Sequence, residues 1–104
     1  MDSHPGIVFR DGAAGRRAVI AGGPDVWEVI RVIMETRNVE ALSSPNEILE
    51  LVSANGGVSP KHVRIAMDYY GEFPGEIDAQ IAEAASAEEA LRTTFARSNA
   101  LLGT

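Results

Sequence analysis

The sequence predicts a mainly α domain: a three-helix core containing a helix-turn-helix, an N-terminal β-hairpin before it and a C-terminal helical extension after it. Three observations carry this prediction. Ser44-Pro45 and Ser59-Pro60 each head an apolar run, and Asn55-Gly56-Gly57 closes the first; a serine cap with proline at the first helical position starts a helix, and Asn or Gly in the left-handed conformation ends one. Two β-prone runs, Ile7-Val8-Phe9 and Ala18-Val19-Ile20, flank a Gly-containing segment, the pattern of a hairpin. Residues 74–102 are rich in alanine and helical in propensity.

The elements follow in order. Between the two β-prone runs, RDGAAGRR reads as a longer hairpin loop, with Asp11-Gly12 and Gly15 as turn formers. A two-stranded hairpin alone is marginal in water, so it must pack on a helix or pair with a second chain across a two-fold axis, which points to a homodimer. Gly22-Gly23-Pro24 breaks the strand, and Pro24 suits the first position of a helix over 24–37. Asp25 and Glu28 in its first turn suit the positive end of the helix dipole. Val26, Val29, Ile30, Ile33, Met34 and Trp27 give this helix more apolar surface than one packing face needs, so its spare face should meet the hairpin or a second subunit. Ser44-Pro45-Asn46-Glu47 is a capping box, and the helix it starts stops at residues 55–57. The helix begun by Ser59-Pro60 runs to about Tyr70. A short helix, a Gly-containing turn and a second helix within 44–70 have the spacing of a helix-turn-helix; with helix 24–37 they form a homeodomain-like unit. Beyond it, Ile77, Ile81, Ala84, Glu88, Leu91, Phe95, Ser98 and Leu102 make a narrow heptad stripe. Such a thin stripe suits a surface or partner-binding helix, and Ser86-Ala87-Glu88-Glu89 leaves room for a break near residue 86. The chain thus divides into a hairpin plus helix-turn-helix domain over 4–72 and an acidic helical tail over 73–104.

Composition sets the function classes. With 104 residues and 45% apolar content the chain makes one folded domain. Having no cysteine, it can form neither disulfides nor thiolate zinc sites, and it lacks a thiol nucleophile. No apolar run approaches the ~18 residues of a membrane span, and the N-terminus has no secretory apolar region, so a cytoplasmic protein without membrane contact is the expectation. The net charge of −6 is uneven. Residues 1–66 carry seven basic and eight acidic groups, and residues 67–104 two basic and seven acidic. A near-neutral head can still hold phosphate if its arginines face one way, and an acidic tail can meet a basic protein or simply be solvated.

On the second helix of the turn motif, a 100° step per residue puts Val63, Ala66, Met67 and Tyr70 on the core face. Lys61, Arg64, Ile65 and Asp68 fall opposite. Lys61 and Arg64 supply donors for bases and phosphates, exposed Ile65 a contact for a thymine methyl, and His62 a phosphate contact. Against this, Arg64 and Asp68 stand four residues apart and can pair with each other, and Asp68 repels phosphate. Arg10, Arg16 and Arg17 form a second basic cluster that either binds phosphate or pairs with Asp2, Asp11 or Asp25. There is no P-loop, nucleophile elbow, dinucleotide fingerprint or metal-ligand spacing, and the two histidines, His4 and His62, stand apart. No catalytic residue, metal or cofactor is expected, and the chain does not read as an enzyme.

HPGIVFRDGAAGRRAVIAGGPDVWEVI at 4–30 and GGVSPKHVRIAMDYYGEFPGEIDAQIAE at 56–83 resemble the two halves of the domain of unknown function 433 family. The shared features are a Gly-basic-aliphatic strand, a helix with Val-Trp-Glu-Val, a Ser-Pro helix ending in Ala-x-x-Tyr-Tyr, and a following Glu-Ile-Asp. The family is similar to homeodomain-like proteins, and many members are regarded as VapB-type antitoxins that accompany a PIN-like ribonuclease toxin. The resemblance implies operator DNA contact through Lys61, His62, Arg64 and Ile65, and toxin binding through Ile77, Ile81, Leu91 and Phe95. One turn departs from the family: Arg-Gly-Thr-Arg is here Ala21-Gly22-Gly23-Pro24, which leaves Arg16 and Arg17 as the substitute cations. Two functions are therefore expected: an antitoxin-like protein with a ribonuclease partner and operator DNA, or a protein-interaction and dimerisation module that does not touch DNA.

Overall fold

A computed structural model describes residues 5–12, 15–39 and 43–103. It is mainly helical, with the order β1 (Ile7–Gly12), β2 (Gly15–Ile20), α1 (Val26–Val39), α2 (Pro45–Gly56), α3 (Pro60–Glu72) and α4 (Pro74–Ala100). His4 and Asp2 lie outside the described residues.

The hairpin is longer and its connection shorter than the sequence suggests. β1 and β2 pair antiparallel from Ile7↔Ile20 to Gly12↔Gly15, so two residues link them instead of a long loop. The reason lies in the pairs across the strands. Asp11 faces Arg16, an opposite-charge pair that favours continued pairing, and the Arg16 guanidinium stacks 4.1 Å from the Phe9 ring centroid. Facing residues share a side of the sheet, so Ile7, Phe9, Ala18 and Ile20 form one apolar face. That face lies on the chain's own helices: Ala18 and Ile20 are buried in the common core, and Ile7 and Phe9 pack against it.

The entry to α1 also differs. The Pro24 carbonyl accepts the Ile20 N–H at 2.9 Å, and Asp25 bridges to Val19. Residues 24 and 25 are thereby held extended beside β2, and the helix starts at Val26 instead of Pro24. Asp25 becomes the capping residue: its carbonyl accepts from Glu28 N at 3.2 Å and its own N–H donates to Glu28 Oε1 at 3.3 Å.

The next two helices begin as the caps require. Ser44 Oγ accepts from Glu47 N at 3.2 Å, and Glu47 Oε1 accepts from Ser44 N at 2.8 Å. That backbone N–H holds the Glu47 carboxyl below its ordinary value. Gly57 closes α2 at φ 64°, a left-handed conformation that glycine adopts without strain. Ser59 Oγ accepts from His62 N at 3.2 Å, with Pro60 in the first turn.

α3 and α4 differ most from expectation. α3 buries Val63, Ala66 and Tyr69, whereas Met67 is 44% exposed and Tyr70 half-buried. α4 is one unbroken helix of 27 residues, with no break near residue 86. Its first turns are core rather than surface: Ile77 is fully buried and Ile81 packs against the core. Tyr69 explains both. Its ring lies 6.2 Å from Phe9 and 4.9 Å from Phe73, and its hydroxyl donates to Glu76 Oε2 at 2.8 Å. α4 therefore covers α3 on the Tyr69 side and leaves Met67 uncovered.

Two substitutions test this packing. Ile77→Ala is expected to cost about 2–5 kcal/mol in denaturant unfolding, because the side chain is fully enclosed where α4 packs on α1 and α3. Ser59→Ala should cost about 1 kcal/mol through loss of the α3 cap.

Candidate interaction surfaces

Six residues are candidates for nucleic acid, and the fold separates them. Lys61 and Arg64 stand exposed on the outer face of α3. Asp68 is exposed one turn on, yet Arg64 forms no ion pair with it or with any other described residue. Ile65 is not on that face. It is half-buried against the core, and a Cβ built on Gly6 would stand 2.7 Å from Ile65 Cδ1. His62 is half-buried too, with Nδ1 3.4 Å from where a Gly23 Cβ would stand, so it faces the strand–helix turn. Of the hairpin arginines, Arg17 Nε lies 2.9 Å from Asp25 Oδ2, one of the internal pairings the sequence allows, and Arg16 lies over Phe9. Arg10 is exposed. Lys61 and Arg64 thus remain as the two open donors on one helix face, next to exposed Met67.

The four residues expected to hold a toxin also divide. Ile77 and Ile81 belong to the core, whereas Leu91 and Phe95 are 70% and 69% exposed. α4 stays tied to the body as far as Glu88, whose Oε2 accepts from Arg31 Nη1 at 2.8 Å. That hydrogen bond raises the Arg31 pKa above its ordinary value, and the same guanidinium stacks 5.1 Å over Trp27. Every described residue of α4 beyond Glu88 is exposed. At about 1.5 Å per residue, α4 is roughly 40 Å long, and the radius of gyration is 16.4 Å against about 13 Å for a compact domain of this size. The C-terminal half of α4 is a projecting arm.

The acidity of the tail does not extend to this arm. Glu72, Glu76, Asp78, Glu83 and Glu88 lie on α3 or on the body-packed half of α4, and Glu89 is held by Arg92 at 2.7 Å. After Glu89 the only charges are Arg92 and Arg97. Tyr70 donates its hydroxyl to Asp78 at 2.9 Å, and this hydrogen bond raises the phenol pKa.

The surface that sequence reasoning missed is a trough between α1, α2 and α3. It measures about 440 Å³, and its apolar lining includes Ile33, Ile48, Leu49, Val52, Val63 and Met67. Among the described residues, Arg37 and Arg64 are its only charged lining residues, and no carboxylate lines it. Through Ile33, Arg37 and Met67 it continues into a second hollow beside Met34 and Tyr70. The signal for it is the surplus apolar arc of helix 24–37, whose Ile33-Met34 side lies along the trough. Among the described residues no group of three or more His, Asp or Glu is placed to hold a metal, and no helix is long and apolar enough to cross a membrane. Comparison of the chain with protein-family models, curated proteins and solved structures finds no match.

The inward position of Ile65 is open to test. Gly6→Ala should lose about 1–2 kcal/mol, because φ is +85° there and the new Cβ meets Ile65. Adding Ile65→Val removes the colliding Cδ1 and should recover the steric part of the loss in a double-mutant cycle.

Proposed function

We propose that this chain is a protein-binding module that engages another polypeptide through the C-terminal half of α4. One observation carries the reading. The face of α4 that packs Ile77 and Ile81 into the core continues past the body as Leu91 and Phe95, with Leu102 in the turn after the helix, and there it is uncovered. Large apolar side chains in line on a projecting helix are the anchors by which a helix enters a partner's groove. DNA reading has less support. Only two donors stand open on α3, Ile65 and His62 turn inward, and the net charge of −6 opposes the phosphate attraction that supplies most non-specific affinity.

A second reading keeps the antitoxin division of labour, with operator DNA on α3 and a ribonuclease toxin on the arm. The observation that favours it is that Lys61 and Arg64 share one exposed face of the second helix of a helix-turn-helix. DNA held this way would weaken steeply with added salt, and an apolar protein contact would hardly respond.

The test is capture from native lysate with tagged wild type and with Leu91→Glu/Phe95→Glu, each with and without nuclease. Protein retained after nuclease by wild type and lost from the variant is the expected result. Equal capture by both baits would remove the arm from the proposal. A DNA fragment captured by both, and lost in Lys61→Ala/Arg64→Ala, would transfer the function to α3.

A further inference from the structure

We propose that the arm's partner is a second copy of this chain: each arm lays Leu91, Phe95 and Leu102 on the trough between α1, α2 and α3 of the other copy. This rests on the reading of the arm as the binding element and names what it binds.

The chain carries both halves of the contact. Leu91 and Phe95 stand one turn apart on one face of α4, and Leu102 follows in the turn after the helix. The trough offers an apolar floor in Val52 and Val63 and an uncovered wall in Ile33 and Met67. Among the described residues no carboxylate lines the trough, and none lies on the chain from residue 90 to residue 102, so the contact between described residues buries no unpaired anion. Arg92 and Arg97 fall about 100–120° to either side of Leu91, clear of the stripe, and stay in solvent.

Area decides between this and the simpler alternative of two arms lying against each other. The three side chains are 70, 69 and 80% exposed, on the order of 400 Å² of surface for residues of this size. Arm against arm buries on the order of 800 Å² over both copies, the scale of a crystal-packing contact. Arm on trough covers a second apolar surface, and two-fold symmetry makes the contact twice. With the accessible part of the trough the total is on the order of 1,100 Å², which clears the roughly 1,000 Å² that a specific interface needs. The hairpin offers no equal surface, because its apolar face is already covered by the chain's own helices.

The seated arm also covers Met67 and the rim at Arg64, one of the two open donors on α3. The arm-exchanged pair and a nucleic acid on that helix face therefore exclude each other.

The absence of cysteine allows a direct test in the full chain. Met67→Cys and Phe95→Cys, both at exposed positions, are prepared separately, mixed and mildly oxidised, and the disulfides are read by mass spectrometry. The mixed disulfide joining position 67 of one copy to position 95 of the other is the expected main product, several-fold over either homodisulfide. Light scattering should give wild type twice the 11.1 kDa chain mass and Leu91→Glu/Phe95→Glu a single chain mass. A dominant homodisulfide through position 95 would overturn the trough as the docking site. A single chain mass for wild type, with no mixed disulfide, would overturn the second copy as partner. In that case arm-dependent capture of a different protein from lysate leaves the protein-binding reading standing, and no such capture removes that reading as well.

Discussion

The placement of the Tyr69 ring governs the rest of the structure. The residue is 1% exposed and touches three elements, with Phe9 of β1 on one side, Phe73 at the α3–α4 junction on another, and Glu76 of α4 at its hydroxyl. A buried tyrosine must find an acceptor for its hydroxyl, and the carboxylate one turn into α4 provides it. This requires α4 to turn back over the C-terminal end of α3 within the single residue Phe73 that separates the two helices. Once α4 is set there, Ile77 drops into the core. The direction of the arm and the exposure of Met67 then follow. An aromatic hydroxyl and its partner thus decide which side of α3 faces outward, and with it which residues are open to a ligand.

Local signals were legible in the sequence and tertiary ones were not. The Ser44 capping box, the Ser59-Pro60 helix start and the left-handed Gly57 involve atoms within a few residues of one another, so their residue types specify their geometry. The hairpin register was legible only in part, because the Asp11–Arg16 pairing that carries the strands to Gly12 and Gly15 needs the strands already aligned. The start of α1 at Val26 was hidden because Pro24 is held by Ile20, a partner reached only after the turn closes. On α3 a regular 100° step gives two adjacent solutions, one burying Tyr70 and Met67 and the other Tyr69. Only the Glu76 carboxylate and Phe9, at distant points of the sequence, select the second.

Charge reasoning failed at the candidate site for a related reason. A count over residues 67–104 describes an acidic tail, but the count averages over a helix that is half core and half arm. The carboxylates cluster where α4 meets the body and serve it: Glu76 takes the Tyr69 hydroxyl, Asp78 the Tyr70 hydroxyl and Glu88 the Arg31 guanidinium. The arm itself is apolar and mildly basic. The hairpin arginines show the same effect with opposite sign. Three basic residues near a glycine turn allow either a phosphate site or internal pairing, and the structure gives Arg17 to Asp25 and lays Arg16 over the Phe9 ring.

Among the described residues, the arm and the trough stay uncovered, and both are apolar. A soluble monomer tolerates scattered exposed apolar residues, whereas contiguous patches on this scale mark places where something else binds. On this chain the arm and the trough are consequences of one event, the docking of α4 on the Tyr69 side of α3. That docking sends the arm past the body and keeps α4 off the Met67 side, where the trough opens between α1, α2 and α3. A single choice of packing side therefore creates a helix with apolar residues in line and an apolar hollow able to receive one. The net charge of −6 makes two copies repel at long range, and this repulsion is screened within about 10 Å at ordinary ionic strength. In the proposed pair, contact is then governed by the apolar surfaces. Added salt should therefore change such a pair little, unlike any complex built on Lys61 and Arg64 with phosphate, which salt weakens steeply.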